Sequence, residues 1–174
     1  MSRRVHLAIQ LLLLAGQVLN GLLPVLQGNG KVYAVAPDRK MTAIDAKTGG
    51  QVWRTGGYMV RESIGISENQ GRLYVRSMQD FFYAFSTTTS QPEKVWESNA
   101  GFGYDINSAM LIEKDGVLFY GTKNGMIFAL DPKTGAVKWQ HRLGVALINT
   151  VTPLSGSQVL AADFDGHVAV IEAK

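Results

Sequence analysis

Three histidines, His6, His141 and His167, are the only imidazoles in this 174-residue chain. No His-x-His or His-Glu-x-x-His spacing is present to turn two ring nitrogens toward one metal ion, so each reads as a surface or edge-strand residue. Asp163-Phe164-Asp165-Gly166 has the look of the opening of a calcium loop, but it lacks the downstream ligand spacing and the bidentate glutamate that close one. Gly101-Phe102-Gly103-Tyr104-Asp105 and Gly28-Asn29-Gly30 are glycine-rich, yet neither opens a helix nor is followed by Lys-Ser/Thr, as a phosphate loop requires. Ser63, Ser67 and Ser108 have no base at a suggestive spacing, and no Gly-x-Ser-x-Gly elbow occurs. No catalytic, cofactor-binding or metal-ligating residue is assigned on this basis, and no cofactor is expected.

The elements that would position any site are repeats. Thr42-Ala43-Ile44-Asp45-Ala46-Lys47-Thr48-Gly49-Gly50-Gln51-Val52-Trp53 recurs as Phe128-Ala129-Leu130-Asp131-Pro132-Lys133-Thr134-Gly135-Ala136-Val137-Lys138-Trp139. A degraded copy, Tyr83-Ala84-Phe85-Ser86, closes on Val95-Trp96. Trp53, Trp96 and Trp139 stand 43 residues apart both times (53 to 96, 96 to 139). A period of about 40–50 residues with several short strands per unit predicts a β-propeller. Each unit opens on a β-branched and aromatic run, such as Lys31-Val32-Tyr33-Ala34-Val35 or Val117-Leu118-Phe119-Tyr120-Gly121, after a turn such as Asn29-Gly30 or Asp115-Gly116. In Asp45 to Gly49 and Asp131 to Gly135 the carboxylate can accept backbone N–H groups two and three residues on, while Gly49 and Gly135 take the left-handed position. Ala43, Ala84 and Ala129 precede the indoles at a fixed place, which suits one blade receiving another's flat ring; all three tryptophans read as core.

The predicted fold is all-β: a propeller of about four four-stranded antiparallel blades, near 19–55, 56–98, 101–142 and 145–174. It is a partial or half ring whose last blade is incomplete, because Glu172 holds the position of Asp45 and Asp131 while the chain stops at Lys174. The remaining residues, 1–16, read as a signal leader or as a strand that closes the ring. Arg3-Arg4 precede an apolar run from Val5 to Gly16, too short to span a bilayer as a helix, and Gln17 stands where a lipidated cysteine would have to be.

From Gly116 to Trp139, and well from Gly30 to Trp53, the pattern resembles the PQQ-like (quinoprotein-like, BamB-type) propeller repeat with its tryptophan-docking motif. Blade two departs from it, with Ser86 for the aspartate and Thr87 to Pro92 for the Thr-Gly turn. The resemblance covers about residues 20–174 and implies the fold more than any one activity. Members include quinoprotein dehydrogenases, the BamB-type lipoprotein of outer-membrane protein assembly, and propeller modules attached to other enzymes. In the dehydrogenases the resemblance implies a quinone on the axis of an eight-bladed ring, over calcium and under a disulfide. This chain has no cysteine and half the blades.

Lys plus Arg number 17 and Asp plus Glu 14, a net charge of +3 without a basic block, which argues against a nucleic-acid surface. The residues at the start of successive blades are a candidate axial binding set: Asn20, Glu62, Asn107 and Asn149. Phe81, Phe82 and Phe102 read as exposed aromatics that could anchor a protein. The expectation is a non-enzymatic protein-binding scaffold, placed by the resemblance in cell-envelope protein assembly and by a real leader in the periplasm or cell envelope. The alternatives are the C-terminal propeller portion of a larger hydrolase or sensor, and a quinoprotein oxidoreductase. A homodimer completing an eight-bladed ring is the expected self-association.

Overall fold

The computed structural model describes residues 25–35, 38–104 and 111–172. Among them are fifteen β-strands and no helix. The first sheet is β1 (Val25–Gly28), β2 (Lys31–Val35), β3 (Met41–Asp45) and β4 (Gln51–Thr55), each antiparallel to the one before. The second is β5 (Val60–Ile66), β6 (Arg72–Ser77), β7 (Gln79–Ser86) and β8 (Lys94–Tyr104). The third is β9 (Ile112–Lys114), β10 (Val117–Gly121), β11 (Met126–Leu130) and β12 (Val137–Arg142). The fourth has three strands, β13 (Ile148–Pro153), β14 (Gln158–Asp163) and β15 (Val168–Glu172). These are the blades of a partial propeller, the last with three strands among the described residues.

The first turns of blades one and three follow from their sequence. Asn29 and Gly30 both take positive φ (49° and 71°), as do Asp115 and Gly116 (49° and 71°), which is the two-residue hairpin geometry that Asn-Gly and Asp-Gly favour. Residues 101–104, placed by sequence in the third blade, instead prolong β8, whose Tyr104 pairs with Gln79 of the unusually long β7.

Side chains alternate along each strand, so every blade has a forward and a rear face, and the core lies in the seams between blades. The first seam packs Tyr33, Val35, Met41, Ala43 and Trp53 on Ile64, Leu73, Val75 and Phe85. In the second, Tyr74, Phe82, Ala84 and Trp96 meet Leu118, Tyr120, Phe128 and Leu130. In the third, Phe119, Ile127 and Ala129 meet Val159, Ala161 and Ile171.

Within a blade the repeat makes one cross-strand row. Tyr33 pairs with Ala43 and Ala43 with Trp53; Tyr74, Ala84 and Trp96 do the same, as do Phe119, Ala129 and Trp139. In each row the two ring centroids are 6.0 Å apart, meeting over the small alanine. The alanines are thus spacers inside their own blade. What receives a neighbour's indole at the second seam is glycine: a Cβ added to Gly135 would lie 2.6 Å from the Trp96 ring.

The seams are not equal. Trp96 Nε1 donates to Pro132 O at 3.0 Å, whereas the buried Trp53 Nε1 has no partner among the described residues. The counterpart of Pro132 in blade two is Thr87, and its carbonyl already accepts from Tyr33 Oη at 3.2 Å and Lys31 Nζ at 2.7 Å. The rebuilt Thr87–Pro92 turn therefore keeps the seam closed with other donors. Trp139, on the forward face of blade three, is only half-buried.

Candidate docking surface

Antiparallel order sorts the connections onto two ends of the blades. At one end lie the turns between first and second strands and between third and fourth strands. At the other, the connector end, lie the second-to-third turns and the chain passing from blade to blade.

The turn end is tied together. Asn29 Nδ2 donates to Gln70 O at 2.7 Å, Glu68 Oε2 accepts from Asp115 N at 2.9 Å, and Asp115 Oδ2 accepts from Gly156 N at 3.1 Å, linking the four blades in series. Asp45 Oδ1 accepts from Lys47 N (2.9 Å) and Thr48 N (2.7 Å), and Asp131 Oδ1 from Lys133 N (2.7 Å) and Thr134 N (3.1 Å). Gly49 and Gly135 follow at φ 73° and 75°. These bonds hold both carboxyls below the ordinary carboxylate range: Thr48 N–H chiefly for Asp45, Lys133 N–H chiefly for Asp131 against the opposing effect of burial. A depressed pKa supplies stability that is present above the unfolded value, about 4, and is lost as pH falls through the lower folded value. Replacing both with asparagine is expected to flatten the acid limb of stability below that pH, read as urea midpoints across a pH series. An unchanged slope would mean that other carboxyls carry acid unfolding.

The connector end exposes large apolar side chains among polar ones such as Lys40, Lys123 and Asp165. Met59 (47% exposed, φ 47°), Tyr104 (56%), Val145 (77%) and Phe164 (70%) all stand there. Lys123 Nζ lies 5.3 Å from the centroid of the Tyr104 ring, a cation on an aromatic face. Single exposed apolar residues are unremarkable, but four on one end of a rigid stack make a surface suited to burial by a partner. Met59 and Tyr104 lie in the blade-entry segments that the sequence points to as a possible binding face, whereas Val145 and Phe164 were not expected there; the signal was large apolar residues inside connecting segments.

The axial set falls only partly within the described residues. Asn20 and Asn107 lie outside the described residues, as does His6; Glu62 belongs to β5 and Asn149 is exposed on β13. His141 is exposed on β12. Of the aromatics read as exposed, Phe82 and Phe102 are instead buried, their centroids 5.1 Å apart, and both lie against Tyr120. The prolonged β8 lays Phe102 over the seam.

The Asp163–His167 turn engages the Asp163 carboxylate internally. Asp163 Oδ1 accepts from Asp165 N at 3.0 Å and His167 N at 2.9 Å, and Oδ2 meets His167 Nδ1 at 2.8 Å. The His167 pKa is raised by that hydrogen bond and the adjacent carboxylate. For Asp163, burial opposes ionisation, but the bonds from His167 outweigh it and hold the carboxyl low. The carboxylate is spent on its own turn. Among the described residues no cluster of three or more His, Asp or Glu could hold a metal ion.

Comparison with known proteins adds to this geometry. The family described as outer membrane protein assembly factor BamB matches residues 57–174. Outer membrane protein assembly factor BamB of Yersinia pestis is 29% identical over 140 residues, 74% of this chain and 34% of its own. A lanthanide-dependent methanol dehydrogenase of Methylacidiphilum fumariolicum is 36% identical over 75 residues, 42% of this chain and 12% of its own. The crystal structure of BamB from Moraxella catarrhalis superposes with a TM-score of 0.69 at 22% identity, over 85% of this chain and 45% of that one. The chain thus spans about a third of the length of the Yersinia relative.

Proposed function

The chain belongs to the BamB-type family of PQQ-like propellers, and from that membership we propose that it is a non-enzymatic protein-binding scaffold serving protein assembly in the cell envelope. The family match over residues 57–174 carries the reading. The structure supports it with a rigid seam-packed stack that presents Met59, Tyr104, Val145 and Phe164 at its connector end. Docking there needs no chemistry, only burial of apolar side chains against a complementary surface, with Lys123 and Tyr104 offering a polar and aromatic rim. The methanol dehydrogenase relative shares 75 residues of repeat, which supports common blades rather than a common reaction.

The test is site-specific photocrosslinking. With the crosslinker at Tyr104 or Phe164, and the purified chain added to solubilised envelope proteins, adducts to outer-membrane assembly components are expected. A probe at Lys47, on the turn end, should give none. Equal adducts from all three positions, or none from the connector end, would overturn the reading.

A further inference from the structure

The forward face of blade four is built like the buried faces before it, yet stands in water. Its row is Thr152, Leu160 and Val170, in register with Tyr33–Ala43, Tyr74–Ala84 and Phe119–Ala129 of the other blades. Ala43, Ala84 and Ala129 are 0% exposed, whereas Val170 is 59% exposed. One pair of residues back, Val168 holds the place of Met41, Phe82 and Ile127; those are at most 1% exposed, and Val168 is 68% exposed. Among the described residues no strand pairs with the outer edge of β15.

At the other end of the stack, blade one carries the matching rear face. Ala34 and Thr42 are paired in the places that Val75–Tyr83, Tyr120–Phe128 and Ala161–Ala169 occupy when blades two, three and four pack backward. The turn-end bonds run the same way, each blade's first turn tied to the next, from Asn29 through Asp115 to Gly156. Among the described residues the series runs from Asn29 to Ser155-Gly156-Ser157, where the Ser155 and Ser157 hydroxyls bond within their own turn.

We propose that a second copy of this chain covers blade four, packing its blade one on Leu160, Val168 and Val170, so that two arcs of four blades close into one ring. A two-fold axis makes both seams the same: Val170 of each copy faces Ala34 of the other. One occupant then completes two open faces with the chemistry of the three seams already formed. A strand from residues 1–24 laid along β15 would complete only one. This inference is independent of the scaffold reading, because it concerns blade faces and not the connector end.

Sedimentation and light scattering of the full chain should give about twice 19.0 kDa. Val170→Glu and Ala34→Glu each place an unpaired carboxylate in a seam, and each should weaken the dimer by ~100-fold or more while leaving the folded spectrum unchanged. Lys47→Glu should leave the dimer intact. Four results would overturn the proposal. The full chain could stay monomeric at every concentration, or the dimer could survive both seam variants. Mass could grow without limit, showing arcs that stack without closing. Finally, a monomer could dimerise only once residues 1–24 are removed, which would make that segment the occupant.

Discussion

Trp96→Ala is expected to lower the free energy of unfolding by about 3–5 kcal/mol, the range for deleting a large buried aromatic side chain. Three contacts are lost together. The indole is nearly buried, its ring meets Tyr74 at 6.0 Å, and Nε1 satisfies Pro132 O in the next blade. The change therefore opens a cavity at a seam and strands a carbonyl, where a surface change would do neither. Urea titration followed by far-ultraviolet circular dichroism measures it without relying on indole fluorescence. A companion pair separates the hydrogen bond from the packing. Phenylalanine at 96 removes the bond to Pro132, whereas phenylalanine at 53 removes an N–H that has no partner among the described residues. Trp96→Phe should thus cost more than Trp53→Phe by about 1 kcal/mol. A loss below 1 kcal/mol for Trp96→Ala would mean the second seam is not held by this ring.

Much of this was legible in the residues because the repeat writes the same local rules several times. The 43-residue spacing of the tryptophans fixes one indole at the end of each complete blade, and Asp45 and Asp131 announce their turns by carboxylate and glycine four residues on. The incomplete last blade was expected as well, and its sheet has three strands among the described residues. What escaped were three-body outcomes. Nothing in the spacing says that Tyr33 and Lys31 take the Thr87 carbonyl. Nor does alternation reveal that Arg76 is fully buried, 5.1 Å from the centroid of the Tyr120 ring, since a strand shows which face a residue is on but not what covers it. Phe102 misled for the same reason: two glycines at positive φ, Gly101 and Gly103, flank it like a loop, yet β8 runs through them and buries the ring. The connector-end surface is harder still, because it is assembled from segments belonging to different blades.

Gly135→Ala should be strongly damaging at the second seam, at about 2–5 kcal/mol. Two costs combine. A φ of 75° is left-handed backbone, which costs a residue with a Cβ roughly 1–2 kcal/mol. The new Cβ would also lie 2.6 Å from the Trp96 ring and 2.8 Å from Ser98 Cβ, an overpacking worth about 1–3 kcal/mol in a close-packed interior. Gly116→Ala isolates the first cost, since its φ is 71° and a Cβ there meets nothing within 4 Å. The second cost depends largely on the indole, so the two sites must couple. In a Trp96→Ala background the space beside residue 135 is open, and Gly135→Ala should then cost little more than Gly116→Ala. The double-mutant cycle is expected to return an interaction of about 1–3 kcal/mol, of the sign that makes the pair less destabilised than the sum. Strict additivity would mean that glycine is required at 135 by its backbone alone, and that the ring of one blade and the turn of the next are merely adjacent.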